Sequence, residues 1–293
     1  MKRLPVLVSP DAGRGRTRRA VGNIFDSLRA RGVEPVDITA ASAAESQARV
    51  ADVVTAGGDR IVVVGGDGIV HLALQAVAGT TTALGVVPVG TANDFARAVF
   101  GPDQDVDAAV ARALSDPHPI DAIRVGDRWV ATVATAGFSA AVNQRANHLV
   151  WPRGQRRYSV ATVLELPRMV CTPTTIIVDG TVFDYDVGVV AVANTAWFGG
   201  GMEICPGAVP DDGQLDVTVA AGISRRELLR FFHLVFDGRH VTHPKVHTHR
   251  GRRIEVIAAE QQLWGDGEPI GQGSVVLEAI PHAVAIAGAT PTT

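Results

Sequence analysis

The sequence predicts an α/β domain with a parallel sheet, followed by a β-rich sandwich domain. Over about the first 125 residues, apolar strand-like runs alternate with helical stretches, which is typical of a parallel sheet with helical crossovers. After about Asp121, strand-like segments follow one another with few helices between them, which favours an antiparallel sheet or sandwich. A chain of 293 residues is long enough for two domains, and we place them at 1–125 and 126–293.

The elements of the first domain are bounded by clear local patterns. The continuous β-branched run at 60–64 suits a strand that is buried on both faces of a parallel sheet. Gly32 ends the first helix, and the glycine pair at 57–58 ends the second. The predicted strands lie at 4–8, 33–38, 60–64 and 83–87, and the predicted helices at 17–31, 43–56 and 69–77.

The second domain is predicted to be mainly strands. Two helical segments, at 160–169 and 225–236, carry apolar residues at helical spacing. The predicted strands lie at 128–135, 174–178, 187–193, 215–220, 253–258 and 274–279.

Composition and charge narrow the function classes. The 27 basic and 30 acidic side chains give a net charge of −3, which argues against a nucleic-acid-binding protein. Two cysteines are too few for a disulfide framework. The first apolar run stops at Ser9 and is too short for a signal peptide, and no run reaches the roughly 18–20 apolar residues of a membrane span. We therefore expect a cytoplasmic protein whose contact with the inner face of the membrane is peripheral and transient.

Two glycine-containing loops follow predicted strands. The first, VGGDG at 64–68, would let the backbone approach a phosphate, and Asp67 beside an anion implies Mg²⁺ or a water network. A simple glycine turn with an Asp cap fits the same residues. The second, PVGTANDFAR at 88–97, supplies a glycine, a hydroxyl, an amide and a carboxylate. A third loop at 9–16 adds arginines suited to phosphate. Loops at the carboxyl ends of neighbouring parallel strands face one crevice.

These loops and several later motifs resemble the diacylglycerol kinase and sphingosine kinase superfamily, which includes bacterial lipid kinases. The fold and the GGDG loop are also similar to those of NAD kinases and, more distantly, phosphofructokinases. The later motifs are Asn194–Thr195, the glycine-rich 198–202, PGA at 206–208, DDGQLD at 211–216 and DGE at 266–268.

The resemblance implies an ATP- and Mg²⁺-dependent lipid kinase with its active site in the cleft between the domains. It implies that Asp266 is the general base, that Glu268 helps to orient it, and that Asp67 and Asp94 hold Mg²⁺ directly or through water. The nucleotide would be held by Ser9, Gly13, Arg14, Gly65, Gly66, Asp67, Gly68, Pro88, Gly90, Thr91 and Asn93.

The acceptor that the resemblance favours is diacylglycerol, which would become phosphatidic acid. We expect the lipid pocket between the two domains, with walls from 160–169 and 228–236. The pair Asp211–Asp212 resembles the family's structural Mg²⁺ site, although an exposed turn before the strand at 215–220 explains it equally well. Whether the protein forms a homodimer stays open.

The chain departs from the family pattern at three positions. Ile69 stands where the family usually has threonine, Leu72 stands where it has an acidic residue, and Ser9 stands where asparagine is common. His71 could partly replace the missing carboxylate or lie on the helix surface. The first two departures keep open a non-catalytic lipid- or nucleotide-binding protein. An NAD kinase-like phosphotransferase is the enzymatic alternative, and the absence of GxxxxGK[ST] argues against a P-loop enzyme.

Two further clusters are candidates for other roles. His240, His243, His247 and His249 are loosely spaced without cysteine, so an exposed basic loop is favoured over a metal site. Arg153, Arg156 and Arg157, next to Trp151, could dock on an anionic bilayer, or could simply begin a solvated helix.

Overall fold

The computed structural model describes residues 2–9, 16–102, 105–149, 151 and 155–292. Contacts divide the chain into two units, Met1–Ala122 with Pro281–Thr293 and Ile123–Ile280. The division lies three residues before the predicted boundary of 125/126. The observed division also differs from the prediction because the last segment, from Pro281, belongs to the first unit. There the backbone N–H of Gly79 donates a hydrogen bond to the Ala283 carbonyl at 2.7 Å.

The first unit alternates strands and helices as the apolar periodicity predicts. Its elements are β1 (Lys2–Val8), α1 (Arg16–Ala30), β2 (Val33–Asp37), α2 (Ala43–Thr55), β3 (Arg60–Gly65), α3 (Asp67–Val77), β4 (Ala83–Pro88), α4 (Asp94–Phe100) and α5 (Val106–Leu114).

The sheet of the first unit is parallel, with the order β4–β3–β1–β2. Residues Ile61 to Val64 of β3 are completely buried, because β3 lies between two other strands and is covered by helices on its faces. Ile286 of the returning C-terminal segment pairs in parallel with Leu84 at the free edge of β4. The predicted parallel α/β domain is confirmed.

The second unit is mainly strands. The elements from the boundary onward are β5 (Pro117–Val125), β6 (Arg128–Val130), β7 (Val133–Gly137), α6 (Phe138–His148), α7 (Gln155–Glu165), β8 (Thr172–Val178), β9 (Thr181–Ala193), β10 (Trp197–Phe198), β11 (Met202–Glu203), β12 (Leu215–Ala221), α8 (Arg225–Phe231), β13 (Val246–Gly251), β14 (Arg253–Gly265) and β15 (Glu268–Ala287). Short 3-10 turns follow α7 at Leu166–Arg168 and α8 at Phe232–Asp237.

In the second unit, the long strands β9 and β14 each pair with the two shorter strands β7 and β8. β7 and β8 lie end to end between β9 and β14: one half of β9 pairs with β7 and the other half with β8. β12 and then β13 extend the sheet beyond β9, and β15 pairs with β14. The inward-facing residues of these strands form one apolar core. This confirms the predicted β-rich second domain.

Several elements were not predicted, among them the helices α5 and α6 and the strands β5, β10, β11 and β13. α6 is rich in alanine and polar residues and shows weak apolar periodicity in the sequence. β13 replaces the exposed basic loop that was expected around His247 and His249, because it pairs over six residues with β12. Among the described residues, no helix combines the length and apolarity needed to cross a bilayer.

Candidate functional site

The GGDG loop joins β3 to α3 under tight steric constraints. Gly65 ends β3, Gly66 precedes the helix, and Asp67 is its first residue. A Cβ atom on Gly65 would lie 2.7 Å from Cγ2 of Ile69 and 2.8 Å from Cβ of Ser9, so only glycine fits there. Ile69 is buried in this contact. Its side chain therefore serves packing at the position where the family has a hydroxyl.

The second glycine loop lies directly against the first. The backbone N–H groups of Val89 and Gly90 both donate to the Gly65 carbonyl, at 2.9 and 3.2 Å. A Cβ on Gly90 would lie 2.4 Å from the Cα of Gly66 and 2.6 Å from Oδ1 of Asn93. Two backbones that approach this closely leave no room for a side chain on Gly90, so the two loops are in direct contact.

Asp67 connects the two loops. Its Oδ1 accepts a hydrogen bond from the backbone N–H of Phe95 at 3.0 Å, so it caps the N-terminus of α4. Asn93, which precedes α4, is left-handed with φ 54° and donates through Nδ2 to the Gly90 carbonyl. Its buried Oδ1 has no hydrogen-bond partner among the described residues. Asp94 follows and is 5% exposed. Asp67, Asn93 and Asp94 are therefore brought together, as predicted.

The remaining predicted nucleotide-binding residues of the first unit are distributed as follows. Ser9 donates from its backbone to the Val64 carbonyl at 2.9 Å, which holds the end of β1 beside the GGDG loop. Thr91 is exposed, and Pro88 is buried at the end of β4. Gly13 and Arg14 lie outside the described residues.

Leu72, one of the departures from the family pattern, and the neighbouring His71 both lie on α3. Leu72 is half-buried. His71 is 9% exposed and lies beside Gln75, one helical turn away, so the interpretation of His71 as a helix-surface residue is wrong. The cause is that α3 is apolar on most of its circumference and packs against the helices α2 and α4 as well as the strands β3 and β4.

Asp266 forms the tight turn between β14 and β15. It and Gly267 both have positive φ, 50° and 88°, while Gly265 pairs with Glu268 across the turn. Asp-Gly is the favoured pair for such a two-residue hairpin. Glu268 follows at the start of β15 and is exposed. The DGE motif therefore has a structural role in addition to the catalytic role predicted for it.

The Asp266 carboxylate is held by the segment that precedes β7. It accepts hydrogen bonds from the backbone N–H groups of Ala131 and Thr132, at 2.7 and 2.9 Å, and from the Thr132 hydroxyl at 2.5 Å. The same segment is held from its other side by Asn194, which donates through Nδ2 to the Ala131 carbonyl at 3.2 Å. Thr132 was missed by sequence reasoning, because it lies 134 residues from Asp266 and belongs to no recognisable motif.

The Asp211–Asp212 pair lies in the turn before β12. Asp212 accepts a hydrogen bond from the backbone of Gln214 at 2.9 Å and forms an ion pair with Arg250. Arg250 also pairs with Asp216 at 3.4 Å. Burial is the main cause that raises the pKa of Asp216, and Arg250 opposes it. Among the described residues no group of three or more His, Cys, Asp or Glu is arranged to hold a metal ion.

The four histidines of the basic segment have separate surroundings. His240 is buried, hydrogen-bonds through Nε2 to the Ile204 carbonyl at 3.0 Å, and has its pKa lowered chiefly by burial. His243 packs on Phe231. His247 and His249 contact the aromatic rings of Tyr185 and Phe183 on β9.

An apolar pocket of about 100 Å³ lies inside the second unit. Its polar wall residues are hydrogen-bonded to neighbours: Ser139 to the Ala136 carbonyl, Thr162 to the Tyr158 carbonyl and His240 to the Ile204 carbonyl. The lining residues all belong to the second unit, whereas the lipid pocket was expected between the domains. Its apolar walls include Phe138, Val142, Val189, Leu228, Phe232 and Val235.

Comparison with known proteins decides the family. Residues 3–125 match the diacylglycerol kinase catalytic domain, and residues 132–288 match the YegS C-terminal NAD kinase beta sandwich-like domain. A diacylglycerol kinase of Mycobacterium tuberculosis H37Rv is 35% identical over 291 residues, which cover 97% of this chain and 94% of that protein. The chain belongs to the diacylglycerol kinase family.

A further relative and a solved structure are also similar to this chain. A diacylglycerol kinase of Bacillus subtilis is 25% identical over 273 residues, covering 92% of this chain and 90% of its own. A crystal structure of a diacylglycerol kinase from Bacillus anthracis Sterne shares the fold, with a TM-score of 0.73 and 18% identity, and the match covers 99% of this chain and 97% of that one. The chain is therefore a lipid kinase, and membership of a kinase family implies that it uses ATP.

Proposed function

We propose that this lipid kinase transfers the γ-phosphate of ATP, with Mg²⁺, to the hydroxyl of a diacylglycerol and so forms phosphatidic acid. The observation that carries the proposal is the apolar pocket of the second unit, because an acyl chain needs an enclosed apolar surface. The names of the relatives from Mycobacterium tuberculosis and Bacillus subtilis support diacylglycerol as the acceptor.

A Cβ atom on Gly90 would lie 2.4 Å from the Cα of Gly66, so the two loops are in direct contact there. We propose that the two loops together form a cradle for the phosphates of ATP. The buried Oδ1 of Asn93 at its edge has no hydrogen-bond partner among the described residues and could accept one from the nucleotide. ATP supplies the phosphoryl group, and the residues of the two loops position it, which is the main requirement for phosphoryl transfer.

Mg²⁺ also fits the donor set of the first unit. In phosphoryl-transfer sites the ion is usually bound by one or two carboxylates together with phosphate oxygens and water. Asp67 and Asp94 supply two carboxylates beside the glycine cradle, and the hydrogen bond from Phe95 fixes the orientation of Asp67. We propose that these two residues hold the ion directly or through water. The structural Mg²⁺ site at Asp211–Asp212 stays a prediction, since Asp212 already pairs with Arg250.

Asp266 is the proposed general base. It would take the proton from the lipid hydroxyl as that oxygen attacks the γ-phosphorus, with ADP as the leaving group. Three hydrogen bonds from Ala131 and Thr132 hold its carboxylate in one orientation. Glu268, two residues further on, is proposed to assist in orienting the acceptor or the metal.

A labelled transfer assay with several acceptors tests the function. Purified protein is incubated with γ-³²P-labelled ATP and Mg²⁺, and with diacylglycerol in detergent micelles, a sphingoid base, or NAD in solution. We expect labelled phosphatidic acid, which is lost in Asp266→Asn. Label on NAD would assign the chain to NAD kinase-like chemistry. ATP binding without any transfer would contradict the proposal and favour a non-catalytic binding protein.

A further inference from the structure

Helices α7 and α8 each have one side on the apolar pocket and the other side exposed. On α7, Thr162 lines the pocket while the adjacent Val163 and Leu164 are exposed. On α8, Leu228 lines the pocket while Leu229 is exposed. The two helices are therefore the layer between the pocket and the surface of the second unit.

The exposed sides of α7 and α8 belong to one surface. Arg225 at the start of α8 donates through Nε to the Met169 carbonyl, just after the 3-10 turn that follows α7, at 3.0 Å. Met169 and Ala161 share a buried cluster with Ile223, and Leu228 packs against it. A common core beneath the two helices fixes their outer sides relative to each other.

This surface combines exposed apolar side chains with arginines. Its apolar members are 59%, 45%, 66% and 54% exposed, which is unusual for neighbouring large aliphatic residues. We call it the apolar–basic face, formed by Val163, Leu164, Val170 and Leu229 together with Arg168, Arg225, Arg226 and Arg230.

The acidic side chains of these segments neutralise the face only in part. Glu165 is buried and pairs with Arg145 at 2.5 Å and with Arg168 of the face at 3.7 Å. Glu227 closes the capping box of α8 with Ser224 and pairs with Lys245 at 2.9 Å. Arg225, Arg226 and Arg230 keep the face basic, although the whole chain has a net charge of −3.

We infer that the apolar–basic face docks on an anionic phospholipid bilayer. The purpose of this docking rests on the proposed function. Docking through this face would place α7 and α8, which cover the proposed lipid pocket, against the membrane. Aliphatic side chains that enter the interface and arginines that meet anionic headgroups are the two attractions that hold peripheral proteins on membranes. The face differs from the docking site predicted at Arg153, Arg156 and Arg157. Of these, Arg153 lies outside the described residues, and Arg157 donates to the Ala146 carbonyl.

Vesicle flotation with matched variants tests the docking face. Vesicles of phosphatidylcholine alone are compared with vesicles that also contain phosphatidylglycerol, at low and high salt. We expect the full-length protein to float only with the anionic vesicles and to be released by salt. The triple variant Val163→Ser, Val170→Ser, Leu229→Ser should bind at least about tenfold more weakly. Arg226→Glu, which reverses one charge, should bind roughly thirtyfold more weakly at low salt.

The controls alter equally exposed side chains elsewhere on the second unit. Val182→Ser with Ile257→Ser changes exposed apolar residues of β9 and β14, and Arg252→Glu reverses a charge between β13 and β14. Both control variants should float as the wild type does. Face variants that float like the wild type, or a wild type that ignores anionic lipid, would overturn the inference. A wild-type dimer that only the face variants dissociate, with unchanged flotation, would assign the face to a second copy instead.

Activity separates docking from the proposed function. With a short-chain, water-soluble diacylglycerol as acceptor, the face variants should keep wild-type turnover, because none of the altered residues lines the pocket. If the wild type itself transfers no phosphate to this acceptor, the proposed function fails, while flotation still decides the docking face.

Discussion

Alanine at Gly90 should separate the two glycine loops of the first unit. Its Cβ would lie 2.4 Å from the Cα of Gly66, and ordinary contact begins at 3.4 Å, so one backbone must move by roughly 1 Å. Overpacking of this kind costs about 1–3 kcal/mol of unfolding free energy. A displacement of about 1 Å in a positioning element can reduce the rate about a hundredfold.

Gly68 provides the matched control for Gly90. A Cβ on Gly68 meets no described atom within 4 Å, and alanine is favoured over glycine in a helix by about 1 kcal/mol. Gly68→Ala should therefore be at least as stable as the wild type. Any loss of ATP affinity in Gly68→Ala would report directly on the approach of phosphate to the backbone.

The assay for Gly90→Ala combines thermal unfolding with ATP titration and phosphate transfer. We expect a lower unfolding temperature, a weaker affinity for ATP and a kcat/KM for ATP about a hundredfold lower. Wild-type stability together with wild-type ATP affinity in Gly90→Ala would refute the idea that the contact between the loops forms the nucleotide cradle.

Three contacts of the second unit give further tests. Thr132→Val removes a hydroxyl bonded to Asp266 and should lower kcat about tenfold at unchanged KM for ATP, whereas Thr132→Ser should retain activity in steady-state kinetics. Burial lowers the pKa of His240 in the folded protein. The stability that depends on its neutral imidazole is therefore complete above the ordinary histidine pKa, and it is lost as the pH falls from there through the lowered pKa of the folded state. Urea unfolding should show this loss, up to about 1.4 kcal/mol per pH unit, and His240→Gln should reduce it. Arg250→Met should lower the unfolding free energy by about 1–2 kcal/mol in urea, and recovery with Mg²⁺ would place the ion at Asp212.

Much of the first unit could be predicted because its patterns are local. The β-branched run of β3 and the glycines after it lie within a few residues of one another, and strand order in a parallel sheet brings the following loops to one edge. The contact between Gly66 and Gly90 is the outcome of that rule. The buried position of His71 could not be predicted, since it depends on which elements pack on α3.

The second unit was less predictable because its contacts connect distant parts of the chain. The Thr132 hydroxyl meets Asp266 only because β7 and β14 pair side by side. The helix α6 was missed because polar Ser139 and Asn143 are buried in it along with Phe138 and Val142, which leaves little apolar periodicity in the sequence. The location of the apolar pocket could not be predicted, because α6 contributes part of its wall.

Photolabelling by a lipid acceptor tests the central claim most directly. A diacylglycerol analogue with a photoreactive group at the end of an acyl chain is irradiated with the protein, and the labelled peptides are mapped by mass spectrometry. Our account predicts labelling of the pocket walls contributed by α6 and α8, at Val142 and Leu228 or their neighbours, and competition by unlabelled diacylglycerol. Labelling confined to other segments, or labelling that diacylglycerol does not reduce, would contradict a lipid substrate bound in the second unit.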